Sequence, residues 1–265
     1  MNSIIKERVD KFKAENRDFL DLSWCKIKNL VDIPELFELK NLKHLSLCGN
    51  QLTDVSGLSG LTTLTTLDLS RNKLTDVSPL SGLAALTTLD LRSNQLTDVS
   101  GLSGLTTLTE LDIRSNQLTD ISPLSGLVAL ATLNLWDNQL TDVSGLSGLA
   151  ALTELHLSRN QLTDVSGLSG LAALTELNLS DNQLTDILPL SNLLNLRQLY
   201  FYSSAKYKEN YWSFQNPDNG FVALRLQNGD IIRGCSRYSQ KEFIEAVTEK
   251  YGNLHPYIAW AYREN

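Results

Sequence analysis

The side chains best suited to chemistry are few. There are three cysteines (Cys25, Cys48, Cys235) and three histidines (His44, His156, His255) in 265 residues. Cys235 and His255 form the one Cys/His pair toward the C-terminus. A thiol nucleophile needs an adjacent base and a lowered pKa, and nothing in the sequence brings these two together. A buried structural thiol is the plainer reading. The histidines have no partner at metal-ligand spacing. Asp54, Asp76, Asp98, Asp120, Asp142, Asp164 and Asp186 recur every 22 residues. A calcium ladder is conceivable, but the D-x-[DN]-x-[DN]-G pattern is missing. Each aspartate is better read as capping backbone N–H groups in its own turn. No nucleophile elbow, zinc-protease, P-loop or dinucleotide motif occurs in a suitable context. The chain therefore reads as non-enzymatic, with no catalytic residue, metal or cofactor.

Composition limits the remaining classes. Leucine supplies 53 residues, hydrophobic residues are 42% and charged residues 20%, enough for a packed core. Apolar runs fall far short of the ~20 residues of a membrane span. The net charge of −7 and pI of about 5.0 disfavour nucleic acid, whose phosphates need a clustered positive surface. The opening MNSIIKERVDKFKAENRDF is charged throughout, unlike a secretory signal. Scattered cysteines in odd number argue against a disulfide framework and for a reducing, cytoplasmic setting.

The leucines are periodic. Asn50, Asn72, Asn94, Asn116, Asn138, Asn160 and Asn182 stand 22 residues apart, each inside the frame L-x-x-L-x-L-x-x-N-x-L-T-D-V-S-G/P-L-S-G-L or a close variant. A repeat of 20–29 residues with this pattern is the leucine-rich-repeat signature. In Leu67-Asp68-Leu69 the two leucines point to one face of a short strand. No single coil has a core, so only the stack is stable. The asparagine turns the chain inward and can satisfy buried backbone groups of neighbouring coils. Pro79, Pro123 and Pro189 share one register position with Gly57, Gly101, Gly145 and Gly167, which suits a short 3₁₀ turn or loop on the convex side.

Over roughly residues 20 to 204 the chain resembles the 22-residue internalin and SDS22-like classes of leucine-rich-repeat protein. The opening, followed by FLDLSWCKIKNLVDIPELFEL, more loosely resembles bacterial Roco-type intracellular repeat proteins, whose GTPase motif is absent. The resemblance implies an α/β repeat solenoid. It would be a leucine-rich-repeat horseshoe with a parallel β-sheet on the concave face, 3₁₀ or turn segments on the convex face, and a small α+β C-terminal unit.

Three segments are expected. Residues 1–19 form a helical N-terminal cap, with Ile4, Ile5, Val9 and Phe12 on the covering face. Residues 20–204 form about nine coils; the first is 25 residues long, with Cys25 at the asparagine position, and the last has Ser204 there. Nine strands at ~4.8 Å spacing span roughly 38 Å. Of the 19 aromatics 14 lie at or after Tyr200, 11 of them within residues 205–265, which hold only three leucines. There, Phe221–Leu226 and Ile231–Arg233 flank an Asn-Gly turn, a hairpin signal. Ser239-Gln240-Lys241-Glu242 is a capping box opening a helix to Tyr251.

If leucines fill the core, function lies in the strand positions they leave outward. Four columns follow. They begin at His44, Ser46, Cys48 and Gly49 and recur through the last strand, with eight acidic residues against four arginines. Trp136, the only aromatic between Phe37 and Tyr200, falls in the third column with Arg92 and Arg114. Trp, Tyr and Arg dominate interface hot spots. The expected partner face comprises Arg92, Glu110, Asp112, Arg114, Asn134, Trp136, Asp137, His156, Arg159 and Tyr200. The bland alternative is free drift of exposed positions. The function implied is a protein-interaction module binding a protein or peptide on the concave face, with no nucleic-acid or membrane partner. Two alternatives stand beside it. One is an effector whose C-terminal unit has a separate activity. The other is an engineered or recently duplicated scaffold, suggested by the identical LTDVSGLSGLTTL at 52–64 and 96–108.

Overall fold

In a computed structural model, the chain is described over residues 3–15, 17–184, 189–190, 193, 195–203, 207–214, 221–225 and 231–235, with backbone alone from 201 onward. Helix α1 (Ser3–Glu15) buries Ile5, Val9 and Phe12 against the first coil, while Ile4 faces out. The spacing of those three residues is one helical face.

Nine short strands follow: β1 (Phe19–Asp21), β2 (His44–Ser46), β3 (Thr66–Asp68), β4 (Thr88–Asp90), β5 (Glu110–Asp112), β6 (Thr132–Asn134), β7 (Glu154–His156), β8 (Glu176–Asn178) and β9 (Gln198–Ser203). Neighbours pair in parallel and in order. The register aligns equivalent positions, so that Leu67 lies between Leu45 and Leu89. Every column of the sequence is thus a physical column across the sheet. The sheet continues into β10 (Tyr207–Phe214), β11 (Phe221–Arg225) and β12 (Ile231–Cys235), each antiparallel to its predecessor. Residues 226–230, Asp186, Ser204 and the expected helix at 239–251 lie outside the described residues, as does the Cys235–His255 pair as side chains.

The opposite side of each coil is a 3₁₀ turn, for instance Ser78–Leu80, Ser122–Gly126 and Ser166–Leu168. The longer first coil holds two such turns, Leu30–Asp32 and Pro34–Glu38, so its extra length sits on the convex side and the strand register survives. Between sheet and turns run the leucines. In one coil Leu67, Leu69, Leu74, Val77, Leu80, Leu83 and Leu86 are all buried, and their equivalents form one continuous cluster.

Two polar ladders run along the stack, one bridging coils and one capping turns. Asn116 donates through Nδ2 to the carbonyls of Ile113 in its own coil (2.9 Å) and Leu91 in the one before (3.1 Å). Its Oδ1 accepts the Leu96 N–H at 3.0 Å. The same pattern repeats at Asn50 through Asn182. Cys25 takes the asparagine position in the first coil, where no earlier coil needs bridging; its thiol is buried and reaches only the Ser23 carbonyl, at 3.5 Å. On the convex side Asp54, Asp76, Asp98, Asp120, Asp142 and Asp164 each accept the N–H and the hydroxyl of the serine two residues on. These bonds hold the Asp54, Asp98, Asp142 and Asp164 carboxyls below the ordinary carboxylate range. The aspartate ladder is a set of turn caps.

Candidate partner-binding face

The face of the sheet away from the leucines carries the four columns. None of the ten expected residues is in the core. Glu110, Asp137 and Arg159 are exposed, and Arg92, Asp112, Arg114, Asn134, Trp136, His156 and Tyr200 are half-buried. Strands β4 to β7 and the turns after them bring nine of the ten together. Tyr200 lies further along, on β9, its hydroxyl donating to Gln198 Oε1 at 2.9 Å.

The second column has a local structural task that sequence reasoning did not assign. Its Asp or Asn accepts the N–H two residues on, at the point where the strand ends. Asp90 accepts from Arg92 (3.0 Å), Asp112 from Arg114 (3.2 Å), Asn134 from Trp136 (3.1 Å) and Asn178 from Ser180 (3.1 Å). Such Asx turns suit this residue type. Asp112 and Asn134 therefore position the third column as well as facing outward.

The arginines are also held. Arg92 Nε lies 3.2 Å from Asp90 Oδ2 and Arg114 Nε 3.3 Å from Asp112 Oδ2, although the Arg92 contact lacks hydrogen-bond alignment. It is not these two but Arg159, one coil further, that meets Trp136: its guanidinium carbon is 5.1 Å from the ring centroid. Arg159 also lies 3.8 Å from Asp181. Burial pushes the Asp90 carboxyl up to about 6, with Asp112 and Asp68 in the same column adding to the rise. Burial raises Asp112 too, against the Arg114 N–H and guanidinium.

The fourth column turns the chain. Arg71, Ser93, Ser115, Asp137, Arg159 and Asp181 all have φ between 52 and 57°. This left-handed conformation disfavours side chains, yet only Gly49 fills the position with glycine. Its reason is local: a Cβ on Gly49 would stand 2.4 Å from the Trp24 ring.

Trp24 and Phe19 are the residues sequence reasoning missed. They are 66% and 49% exposed and occupy the fourth and first columns of the first coil. The signal was available, because Leu20-Asp21-Leu22 already fits the frame; the columns simply have to start one coil earlier. Also missed was a cluster on β7 and β8. Glu154, His156 and Glu176 place one donor atom each within 4.8 Å of one another. Spacings of two and 22 residues look unrelated along the chain but are adjacent on the sheet.

Models of two leucine-rich-repeat families match the chain. One, of two repeat copies, covers residues 40–82 and 84–126; the other covers 106–162 and 128–184. The chain belongs to the leucine-rich-repeat family. Among solved structures this repeat protein is similar to internalin C2 from Listeria monocytogenes, with 36% identity and a TM-score of 0.71 over 75% of this chain and 92% of that one. A leucine-rich-repeat protein of Leptospira interrogans is 32% identical, with a TM-score of 0.61 over 64% of this chain and 45% of that one. The ectodomain of the Arabidopsis thaliana receptor kinase GASSHO1/SCHENGEN3, solved in complex with CASPARIAN STRIP INTEGRITY FACTOR 2, is 29% identical, with a TM-score of 0.58 over 69% of this chain and 24% of that one. No curated protein matches the chain. Leucine-rich-repeat proteins of this kind are in general interaction modules rather than enzymes. No helix among the described residues is long and apolar enough to cross a membrane.

Proposed function

We propose that this repeat protein is a non-enzymatic binding module that takes a protein or peptide segment across the concave face of β4 to β7. The observation that carries this reading is the Trp136–Arg159 pair. The core is complete in leucine, so the fold has no use for an indole on the open face. Desolvated aromatic and arginine side chains are the usual centres of binding energy.

The surroundings favour a segment with basic residues interspersed with a few carboxylates. Asp68, Asp90, Asp112, Asp137 and Glu110 outnumber the arginines, and Arg92 and Arg114 are already paired in cis. Complementary charge steers encounter and register more than it sets affinity. The plant ectodomain's complex supports a ligand-binding use of the same architecture. Free thiols at Cys25 and Cys48 and the similarity to bacterial proteins support a bacterial, cytoplasmic setting.

The test is selection of displayed random peptides on the intact chain, then titration against Trp136→Ala and Arg159→Ala. Selected peptides are expected to lose roughly 30-fold in affinity on Trp136→Ala, as at a hot spot, while the thermal midpoint barely moves. Peptides that bind both variants as well as the parent would show that the partner face lies elsewhere.

A further inference from the structure

We propose that Glu154, His156 and Glu176 form a binding site for a divalent late first-row transition metal ion, of which Zn²⁺ is the type. The site lies on the open face of β7 and β8 and does not depend on the partner-binding reading.

The argument starts from register. Glu154 pairs with Glu176 across neighbouring parallel strands. Strand spacing is ~4.8 Å, and like charges directly opposite are destabilising. In the second column Asp90 and Asp112 each pair with an arginine, and Asp68 beside them accepts from the Ser46 and Ser70 hydroxyls. Glu154 and Glu176 have neither an arginine nor a lysine. Among the described residues Glu154 pairs only with His156, at 2.7 Å from Oε1 to Nε2, and Glu176 with no basic side chain. Two carboxylates and an imidazole thus converge with a charge that a cation would neutralise.

The donor set suits a particular class. One imidazole and two carboxylates match zinc and its neighbours, whereas calcium and magnesium prefer oxygen alone. Zinc holds nitrogen and oxygen donors at about 2.0–2.2 Å, so tetrahedral ligands lie roughly 3.4 Å apart. The three donors already lie within 4.8 Å. All three side chains are half-buried, so rotation of the carboxylates closes the difference without moving the strands. Three protein ligands leave at least one position open toward solvent, where a carboxylate or imidazole of an incoming molecule can bind. On either side the first column carries Thr132 and Gln198, and in the second column Asn134 and Asn178 flank His156, all uncharged, so no basic side chain at these positions competes with the ion.

Calorimetric titration of the full chain with Zn²⁺ tests the site, with His156→Gln and Glu176→Gln beside it and His44→Gln as control. One equivalent is expected to bind the parent and the control alike. Each site variant is expected to bind more than 10-fold more weakly, given that even supporting groups around a metal cost about 10–100-fold. Zn²⁺ should also raise the melting temperature of the parent and not of the variants. A Co²⁺ titration of the parent guards against variants that fail to fold. Ligand-field bands without a thiolate charge-transfer band support the site; a thiolate band assigns the metal to cysteine and overturns it. No binding to the parent, or a loss in only one of the two variants, overturns it equally.

Discussion

The guanidinium of Arg159 lies over the indole of Trp136, 5.1 Å from its centroid, although the two residues belong to successive coils and to different columns. The third column of one coil and the fourth of the next converge because the fourth-position residue has left-handed φ, 54° at Arg159. That turn throws its side chain back across the strand ends.

A double-mutant cycle on this pair should give a coupling of about 0.5–1 kcal/mol, the range for a cation over an exposed aromatic face. Urea unfolding of Trp136→Ala, Arg159→Ala and the double variant measures it. Since Trp136 lies outside the leucine cluster, Trp136→Ala alone should cost far less than the 3–5 kcal/mol of an aromatic truncated in a core. A loss of that size would place the indole in the core.

The asparagine ladder predicts a different scale. Asn116→Ala leaves the Leu96 N–H without its partner inside the stack and takes one of two asparagine donors from each of the Leu91 and Ile113 carbonyls, which keep Asn94 and Asn138. The orphaned N–H costs about 1–3 kcal/mol and each lost hydrogen bond about 0.5–1.5 kcal/mol, so the variant should lose roughly 2 kcal/mol or more in urea unfolding. Asn116→Asp should be no milder, since a carboxylate oxygen would then face the two carbonyls. Cys25 supplies the contrast: Cys25→Ala at the array's end, with no earlier coil to bridge, should cost less than Asn116→Ala.

Most of the fold was legible because one period carries it. The 22-residue spacing of Asn50 to Asn182 fixes the strands, the buried leucines and the convex turns together, and alternation in Leu67-Asp68-Leu69 fixes which side faces out. The site was legible only as a surface. Sequence separates residues that face out from those that face in. It does not show that Asp112 and Asn134 are occupied with the N–H groups of Arg114 and Trp136, or that Arg159 rather than Arg114 meets the tryptophan. Those contacts depend on the left-handed turn after each strand, for which Arg71, Ser93 and Asp137 give no compositional hint; glycine marks it at position 49 alone. The aromatic tail obeys no period, so its strand pairing could be anticipated only at the 221–233 hairpin.

Gly49 and Trp24 should show strong non-additivity. Gly49→Ala adds a Cβ at 2.4 Å from the indole, on a backbone with φ of +66°. The left-handed conformation alone costs about 1–2 kcal/mol, and the clash adds to it. In the background of Trp24→Ala the clash disappears and only the backbone cost should remain. Equal losses from Gly49→Ala in both backgrounds, read from thermal unfolding, would mean that the indole does not rest on Gly49.

Asp90 gives the array a pH dependence whose sign can be worked out. Its carboxyl is raised from 3.8 to about 6, chiefly by burial, so the folded chain holds the proton more tightly than the unfolded chain. Stability from this group is complete below pH 4 and is lost as pH rises through about 6. Asp90→Asn removes the ionisation and keeps the Oδ1 acceptor for the Arg92 N–H, as Asn134 and Asn178 do for their own strand ends. The variant should therefore be more stable than the parent at pH 7.5. One pKa unit corresponds to 1.36 kcal/mol; the ion pair with Arg92 and the 22% exposure of the side chain reduce the gain to about 1–2 kcal/mol. At pH 4 the two proteins should unfold at nearly the same urea concentration. A variant less stable than the parent at pH 7.5 would show that the Arg92 ion pair outweighs the burial of the carboxylate.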